Sequence, residues 1–382
     1  MLNFDTFSTV KPRLVNKIKQ GVQVVRNAAL TLVLVTCSMA SHATSVMFVS
    51  PSTPDDPFFS RVELFIRMAA ENLGFDLTVI YGEAHRIYQQ QELEQYLAKE
   101  QPDYMLVQVY AGSGKALFEL LDKYPTVKVI SLEHLLLNHE TEEVGKPGEI
   151  YKNWIAELTF DNVSASETLS RYLLKACEQE ARTDRWGIVG VNGLHGQEAL
   201  QRHAGLVEAV NRTNLYELHQ VVNAKWQREL AQKQVRTLLS RYPKTSVIWS
   251  ASDWMALGVA DAIEPLKRTG QRFCIGGFDW IPEIVDAIQA NRISASIGGH
   301  FMLGAWAMVM VYDHIKGVMP RDINSDNPIL NLQLMHAGNL QEIAPLLERQ
   351  AWKNVDFRQY SLFYNDQHQD YQFRLPLSDP AE

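Results

Sequence analysis

Short apolar runs alternate with amphipathic stretches along most of the chain after residue 44. The runs at Ser45–Ser50 and Ser246–Ser250 are rich in β-branched and aromatic residues and predict buried strands. Apolar positions recur at helical spacing across Phe58–Leu73 and Gln197–Asn211, which predicts helices that cover a sheet. Strict alternation of strand and helix is typical of parallel sheets with helices on both faces. The chain is therefore predicted to be an α/β protein.

The alternation breaks once and then resumes, which predicts two lobes. Residues 135–153 contain an acidic run and a Gly-Lys-Pro-Gly turn, and we interpret them as an exposed excursion. The first doubly wound lobe is predicted to comprise residues 44–160 plus about 300–328. The second is predicted to comprise residues 161–299, with about 329–382 as its completion and tail. Because ligands of parallel sheets bind beyond the carboxyl ends of strands, we expect a ligand cleft between the lobes.

Residues 1–43 have the layout of a secretory signal peptide. A basic segment precedes an apolar run of 13 residues, Ala28–Ala40, and Ser41-His42-Ala43 supplies small residues for cleavage. The run is shorter than the ~20 residues that span a bilayer. An uncleaved N-terminal anchor and a lipoprotein processing site at Cys37 are the alternatives, in that order. The predicted location is the periplasm.

Charge and cysteine content narrow the class of function. The chain has 46% hydrophobic residues and a net charge of −8, which favours a packed globular protein and argues against nucleic acid as a partner. Cys37, Cys177 and Cys274 show no metal-ligand spacing, so neither a metal nor another cofactor is predicted. Two buried free thiols at Cys177 and Cys274 are our default interpretation, with one disulfide as the alternative.

The catalytic motifs that we searched for are absent from the sequence. Gly112-Ser113-Gly114-Lys115 resembles part of a phosphate loop, but Val109 and Ala116 stand where that loop requires Gly and Ser or Thr. The sequence contains no GxSxG and no HExxH. Nothing pairs a nucleophile with its base. The chain is predicted not to be an enzyme, and an acid/base pair of Glu133 with Asp279 is the alternative that we rank below binding.

Polar or aromatic side chains follow the predicted strands one after another. Carboxylates accept hydrogen bonds from hydroxyl groups, Arg donates in a fork, and an aromatic ring packs on an apolar face. This is the chemistry that recognises a polyhydroxylated ring. Helix capping is the alternative for Asp253 and Asp279. The predicted ligand-binding residues are Asp56, Phe58, Phe59, Glu133, His134, Asp161, Arg202, Asp253, Trp254, Asp279, Trp280 and His300.

Several of these segments resemble the type 1 periplasmic binding proteins of the ribose and galactose class. Asp56-Pro-Phe-Phe59 is similar to that family's Asn-Pro-Phe-Phe, Ser252–Gly258 to its Asn-Asp-x-Met-Ala-Leu-Gly, and Gly277-Phe-Asp279 to its Gly-Phe-Asp. The resemblance covers most of residues 45–318. It implies that the lobes close on a small polar ligand, in the first place a sugar, and present it to an inner-membrane ABC permease. A sensing subunit that docks on a membrane sensor kinase or other receptor is the alternative.

Departures from the family pattern leave the ligand open. Glu133-His134 stands in place of the family's Asp-Arg pair, and His300 stands where the family usually has Gln. Four acids face one clear Arg in the expected cleft, which disfavours an anionic ligand and leaves an amine-bearing one open. A transcriptional repressor, which shares the fold, is excluded by the signal peptide and by the lack of a basic helix-turn-helix segment.

Overall fold

Two separate β-sheets organise the chain in a computed structural model. The structure describes residues 43–133, 136–178, 186–269, 271–320, 330–368, 370, 371, 373 and 375. The predicted signal peptide and its two alternatives lie outside these residues. Within the described residues, no helix combines the length and the apolar character needed to cross a membrane.

The first sheet has five parallel strands in the order β2-β1-β3-β4-β5. Its strands are β1 (Ser45–Ser50), β2 (Asp76–Tyr81), β3 (Tyr104–Val107), β4 (Lys128–Leu132) and β5 (Trp154–Leu158). The helices between them are α1 (Phe59–Leu73), α2 (Arg86–Leu97), α3 (Gly114–Asp122) and α4 (Asn138–Val144). Strands β3 and β1 are buried almost throughout, as expected of a sheet covered on both faces.

The second sheet has six strands in the order β11-β10-β9-β8-β6-β7. Its strands are β6 (Trp186–Asn192), β7 (Tyr216–Asn223), β8 (Thr245–Ser250), β9 (Cys274–Asp279), β10 (Ala295–Gly298) and β11 (Gln333–His336), the last antiparallel to β10. Its helices are α5 (Asn162–Cys177), α6 (Gln197–Asn211), α7 (Arg228–Arg241), α8 (Asp253–Ile263) and α9 (Pro282–Gln289). The prediction of an α/β protein with two parallel-sheet lobes is confirmed.

The chain crosses between the lobes after β5 and again after β10. The second crossing leads through a short 3₁₀ helix, His300–Met302, into α10 (Leu303–Lys316), which packs on α1 of the first lobe. The two helices approach closely at Gly304, where an added Cβ would lie 2.2 Å from Cγ1 of Ile66. A larger residue at position 304 would push α10 away from α1. The crossing therefore returns the chain to the first lobe.

The predicted exposed excursion at residues 135–153 contains a buried acid. Glu140 lies in α4, is 6% exposed and accepts hydrogen bonds from the backbone N–H groups of Gly112 (2.9 Å) and Gly114 (3.1 Å). Its carboxylate satisfies N–H groups at the start of α3 that would otherwise lack partners. Glu140 thus attaches the segment to the first lobe. The sequence predicted only an exposed segment because its charged residues suggested contact with solvent.

The C-terminal tail differs from its predicted placement. The sequence assigned about 329–382 to the second lobe, and β11 does pair there. Beyond α11 (Leu340–Ile343), however, the chain reaches the first lobe: Trp352, at the end of α12 (Arg349–Trp352), packs on Phe65 of α1 with ring centroids 5.4 Å apart. Trp306 of α10 stacks on Phe373 at 5.1 Å. The physical reason is that α1 and α10 present an apolar face, which the aromatic residues of the tail cover.

A buried carboxylate fastens this tail. Asp313 of α10 is completely buried and accepts hydrogen bonds from the hydroxyl of Ser361 and from the backbone N–H of Leu362, the latter at 2.8 Å. Hydrogen bonds to an ionised carboxylate are among the stronger ones in proteins. Asp313 therefore holds the middle of the tail against the first lobe.

Cys177 and Cys274 form a disulfide that joins the end of α5 to the start of β9. Their Cα atoms are 5.7 Å apart, which lies within the usual range for a disulfide. The structure thus differs from our default of two free thiols and agrees with the alternative. The sequence left the pairing open because it depends on how α5 packs against the sheet.

The contacts of Asp313 predict its contribution to stability. In Asp313→Ala, the backbone N–H of Leu362 and the hydroxyl of Ser361 lose a charged partner, which costs about 2–3 kcal/mol of unfolding free energy. Chemical denaturation of the purified protein measures this loss. Asp366→Ala, at an exposed position of the same tail, is the matched control and should change stability by less than ~0.5 kcal/mol. Equal effects of the two substitutions would contradict the fastening role of Asp313.

Candidate functional site

Side chains from both lobes meet beyond the carboxyl ends of the parallel strands. Glu133 follows β4 of the first lobe, Asp279 ends β9 of the second, and Arg202 projects from α6. His300 lies on the crossing after β10. We call these residues, together with Glu198 in the first turn of α6, the central cluster. The guanidinium of Arg202 acts electrostatically on each of the other four members, which shows that the lobes bring them together.

Arg202 is held rigidly in this cluster. It is 4% exposed, its Nε donates to Oδ1 of Asn162 at 2.8 Å, and its Nη1 donates to the backbone carbonyl of Ala251 at 2.7 Å. Its Cζ lies 4.5 Å from the centre of the Phe278 ring, and Nη1 is 3.6 Å from Oδ1 of Asp279. Two of the five N–H donors of the fork are used by these hydrogen bonds. The guanidinium is therefore fixed in one orientation at the base of the cleft.

Glu133 is a buried acid on a strained backbone. Its φ angle is 60°, a conformation uncommon for residues other than Gly and frequent at functional sites. The side chain is 8% exposed, and Oε2 accepts a hydrogen bond from Nε2 of Gln108 at 2.7 Å. Burial raises the pKa of Glu133 to about 8, against the opposing effect of Arg202 and with support from Glu198 and Asp279.

Asp279 and His300 form the second half of the cluster. Oδ1 of Asp279 lies 3.3 Å from Nε2 of His300. Burial raises the pKa of Asp279 to about 7, against the opposing effect of Arg202. Burial, together with Arg202, holds the pKa of His300 well below its usual value, so the imidazole is neutral. Its ring lies between those of Phe58 (4.6 Å between centroids) and Phe160 (4.8 Å).

The other three predicted carboxylates accept hydrogen bonds from their own chain. Asp56 caps α1, accepting from the N–H groups of Phe58 (2.9 Å) and Phe59 (2.8 Å). Asp161 caps α5 through the N–H of Ser164 at 2.9 Å. Oδ2 of Asp253 accepts from the N–H of Trp280 (2.8 Å) and the hydroxyl of Ser296 (2.9 Å). The cap of α8 is Ser252, which accepts from the N–H of Met255, so these bonds of Asp253 do not cap its own helix. Ligand contact by the three acids stays a prediction.

The predicted aromatic residues fall in different surroundings. Phe58 and Phe59 meet edge to face at 5.1 Å, and Phe58 also packs on His300. Trp280, by contrast, is 1% exposed and donates from Nε1 to the carbonyl of Ser296 at 3.2 Å, so its ring belongs to the core of the second lobe rather than to a cleft wall. The backbone at Trp280 has a φ angle of 60°, which turns the ring inward over Gly298.

A cavity of about 540 Å³ lies at the mouth of the cleft, and residues of both lobes line it. Its volume is in the range of small-ligand sites. Trp254 borders this cavity, and the guanidinium of Arg228 lies 5.1 Å from the centre of the Trp254 ring. Asp56 lies on the opposite wall. His134, the remaining predicted ligand-binding residue, lies outside the described residues.

Sequence reasoning missed three residues at the site. Gln108 directly follows β3 and donates a hydrogen bond to Glu133. Its position, a polar side chain directly after a strand, is the same sequence feature by which the other site residues were chosen. Trp226 follows β7 with a φ angle of 63°, and its ring lies 6.0 Å from Cζ of Arg202 and directly over Gly193. Glu198 opens α6, and its Oε2 is buried without a hydrogen-bond partner among the described residues.

The pKa of Glu133 predicts how stability depends on pH. The folded protein keeps the proton of Glu133 up to about pH 8, whereas an unfolded chain releases it near its usual value of 4.5. The folded state therefore binds more protons between these values, and Glu133 contributes a loss of stability as the pH rises from 4.5 to 8. Asp279, Asp253 and Glu198 have raised pKa values and act in the same direction, while His300 acts in the opposite one.

Glu133→Gln isolates this contribution. The unfolding free energy of the variant minus that of the original protein is compared at pH 5 and at pH 8. This difference should be larger at pH 8 by at least ~1.4 kcal/mol, the equivalent of one pKa unit. Urea denaturation at the two pH values measures the difference. A constant difference across this range would show that Glu133 is not a buried acid in the folded protein.

Comparison with known proteins agrees with this architecture. Residues 46–318 match the family model described as a periplasmic binding protein domain. The D-apiose import binding protein of Paraburkholderia graminis is 22% identical over 281 residues, covering 73% of this chain and 84% of that protein. The D-allose-binding periplasmic protein of Escherichia coli is 24% identical over 302 residues, covering 76% and 92%.

Among solved structures, a periplasmic sugar-binding protein from Pseudomonas fluorescens superposes with a TM-score of 0.73 and 25% identity. The match covers 87% of this chain and 98% of that one. The family model covers the strands of both sheets except β11 and ends beyond the second crossing, so the match includes both lobes. The chain belongs to the family of periplasmic binding proteins.

Proposed function

We propose that this protein is a periplasmic solute-binding protein that closes its lobes on a small polyhydroxylated ligand, in the first place a sugar, and presents it to an ABC importer. The observation that carries the proposal is the central cluster itself. A fixed guanidinium, buried carboxylates and aromatic rings from both lobes meet beyond the ends of the strands. The proposal is one of binding rather than catalysis.

The chemistry of the cluster suits hydroxyl groups. Glu133 and Asp279 accept hydrogen bonds from hydroxyls, and the remaining N–H groups of Arg202 donate to ring and hydroxyl oxygens. Phe58 and Trp226 offer flat apolar faces on which the C–H face of a sugar ring packs. Because the cluster is buried, each polar contact is made in a medium of low dielectric constant and is strengthened by it.

Lobe closure is supported by contacts between the lobes. Nε2 of Gln197, on α6, lies 3.4 Å from Oδ1 of Asn138, on α4. The crossings at Phe160–Asp161 and Gly298–Gly299 are the segments about which the lobes would rotate, and Gly299 has a φ angle of 114°, which favours glycine. A ligand that bridges Arg202 and Glu133 would hold the lobes together.

The relatives support import of a sugar over the sensing alternative. One is named as an import binding protein for D-apiose and another as a binding protein for D-allose. The name of the D-allose-binding periplasmic protein also supports a location in the periplasm. Identification of the permease requires its own experiment, such as crosslinking of the ligand-bound protein in membranes.

A ligand panel tests the proposal. Thermal unfolding of the purified protein is measured with pentoses, hexoses, sugar alcohols and amino acids. A sugar at about a thousand times its dissociation constant adds ~4 kcal/mol of stability and should raise the unfolding midpoint by several degrees. Stabilisation by amino acids alone would contradict the sugar assignment. Chemical turnover of a bound sugar would contradict the assignment as a binding protein.

Arg202→Lys tests whether the central cluster is the binding site. Lysine keeps the charge but cannot donate to both Asn162 and the Ala251 carbonyl while also facing a ligand, so we expect affinity for the identified sugar to fall at least tenfold. Arg212→Lys is the matched control, since Arg212 sits at the other end of α6, exposed and paired with Glu167. Isothermal titration calorimetry measures both. Unchanged affinity in Arg202→Lys would place the ligand elsewhere.

A further inference from the structure

In their ionised forms, the carboxyl groups of the central cluster outnumber its cationic groups among the described residues. Glu133, Glu198 and Asp279 contribute three carboxyl groups, and Arg202 contributes the guanidinium that acts on all of them. His300 is neutral. With all three acids ionised, the cluster would therefore carry an excess of two negative charges in a buried site, which is unfavourable without a further cation.

Buried hydrogen-bond acceptors without a donor are also present in the cluster. Within the described part of the chain, Oε2 of Glu198 and both ring nitrogens of His300 are buried without a hydrogen-bond partner. A neutral imidazole has one donor and one acceptor nitrogen, so His300 contributes one acceptor that lacks a donor and one donor that lacks an acceptor. Arg202 uses two of its five N–H groups for Asn162 and Ala251, which leaves the others for oxygen atoms of a ligand. A ligand that also brings a strong donor group would pair with the buried acceptors.

Two further acids near the cleft, Asp56 and Asp253, accept hydrogen bonds from the fold. Asp56 is saturated by two backbone N–H groups and by the hydroxyl of Ser52 at 2.8 Å. Oδ2 of Asp253 is bonded to Trp280 and Ser296. Oδ1 of Asp253 has no hydrogen-bond partner among the described residues, and burial together with Asp279 raises the pKa of Asp253 well above its usual value, so Asp253 adds to the excess of acids. The raised pKa values of Glu133 and Asp279 express the cost of ionising them there without another cation.

We propose that the ligand is a polyhydroxylated ring that carries a protonated amine, that is, an amino sugar, and that its ammonium group pairs with Glu133 and Asp279. This inference rests on the proposed function and narrows it. An ammonium group supplies three donors, no acceptor and one positive charge, which meets both deficits of the cluster. The faces of Phe58 and Trp226 add a favourable site for a cation beside the ring.

Matched ligands distinguish the contribution of the amine to affinity from the contribution of the sugar ring. Isothermal titration calorimetry with the purified full chain compares D-glucosamine with D-glucose and N-acetyl-D-glucosamine, and compares the corresponding galactose and mannose series. The acetyl group keeps the nitrogen but removes its charge. In at least one series, the amino sugar should bind at least tenfold more tightly than both neutral forms.

Two substitutions test the residues. Glu133→Gln and Asp279→Asn keep the shape of the side chains but remove their charge, and each should reduce the preference for the amino sugar to less than threefold. Glu167→Gln is the matched control, because Glu167 pairs with Arg212 on the far side of the second lobe and should leave the preference intact. Unfolding curves of each variant establish that it is folded. A preference that survives both cluster substitutions would overturn the pairing.

The outcomes distinguish this inference from the proposed function. A neutral sugar that binds as tightly as its amino counterpart would overturn the inference and leave the binding function in place. Binding of putrescine, a diamine without hydroxyl groups, in the absence of sugar binding would overturn both. Absence of binding across all series would likewise contradict both.

Discussion

Arg202 is the group on which the arrangement of the cleft depends. Its guanidinium is anchored by Asn162, at the first crossing between the lobes, and by the carbonyl of Ala251, directly after β8. It thereby ties the hinge to the sheet of the second lobe. It is also the cation that opposes the effect of burial on the pKa values of Glu133, Glu198 and Asp279, although burial remains the larger effect.

Backbone strain is concentrated around this group. Glu133, Asp279 and Trp280 have positive φ angles, although none of them is glycine. Asp253 stabilises the turn at Asp279–Trp280 by accepting hydrogen bonds from the N–H groups that follow it. Such conformations cost free energy and persist where the surrounding contacts hold them. Here the strained positions place Asp279 beside Arg202 and Glu133 beside Gln108, in the cluster where the ligand is proposed to bind.

The sequence predicted the sheets well because buried parallel strands are continuous apolar runs. The residues that directly follow a strand can be identified from the same runs. It predicted Trp280 and the tail less well. The ring of Trp280 turns into the core because of the φ angles at Asp279 and Trp280, which no apolar pattern encodes. The tail packs on α1 and α10 through contacts such as that of Phe357 with Asn72, 285 positions apart, which exist only in the folded chain.

Gln108 at the site and the disulfide in the core also depend on contacts that the sequence alone does not reveal. The amide of Gln108 matters through Glu133, and the pairing of Cys177 with Cys274 depends on the packing of α5 on β9. A residue next to a strand is visible in the sequence, but its partner is decided by tertiary structure. Conversely, Glu133-His134 in place of the family's Asp-Arg pair indicated from the sequence that the charge of the cleft differs. The structure adds that burial raises the pKa of Glu133.

A crystal structure of the protein with its bound ligand tests the central claim most directly. The account predicts that polar atoms of the ligand lie within hydrogen-bond distance of Arg202, Glu133 and Asp279, with the ring packed near Phe58. A ligand seated instead in the outer cavity beside Trp254, without contact to Arg202, would contradict the assignment of the central cluster as the binding site.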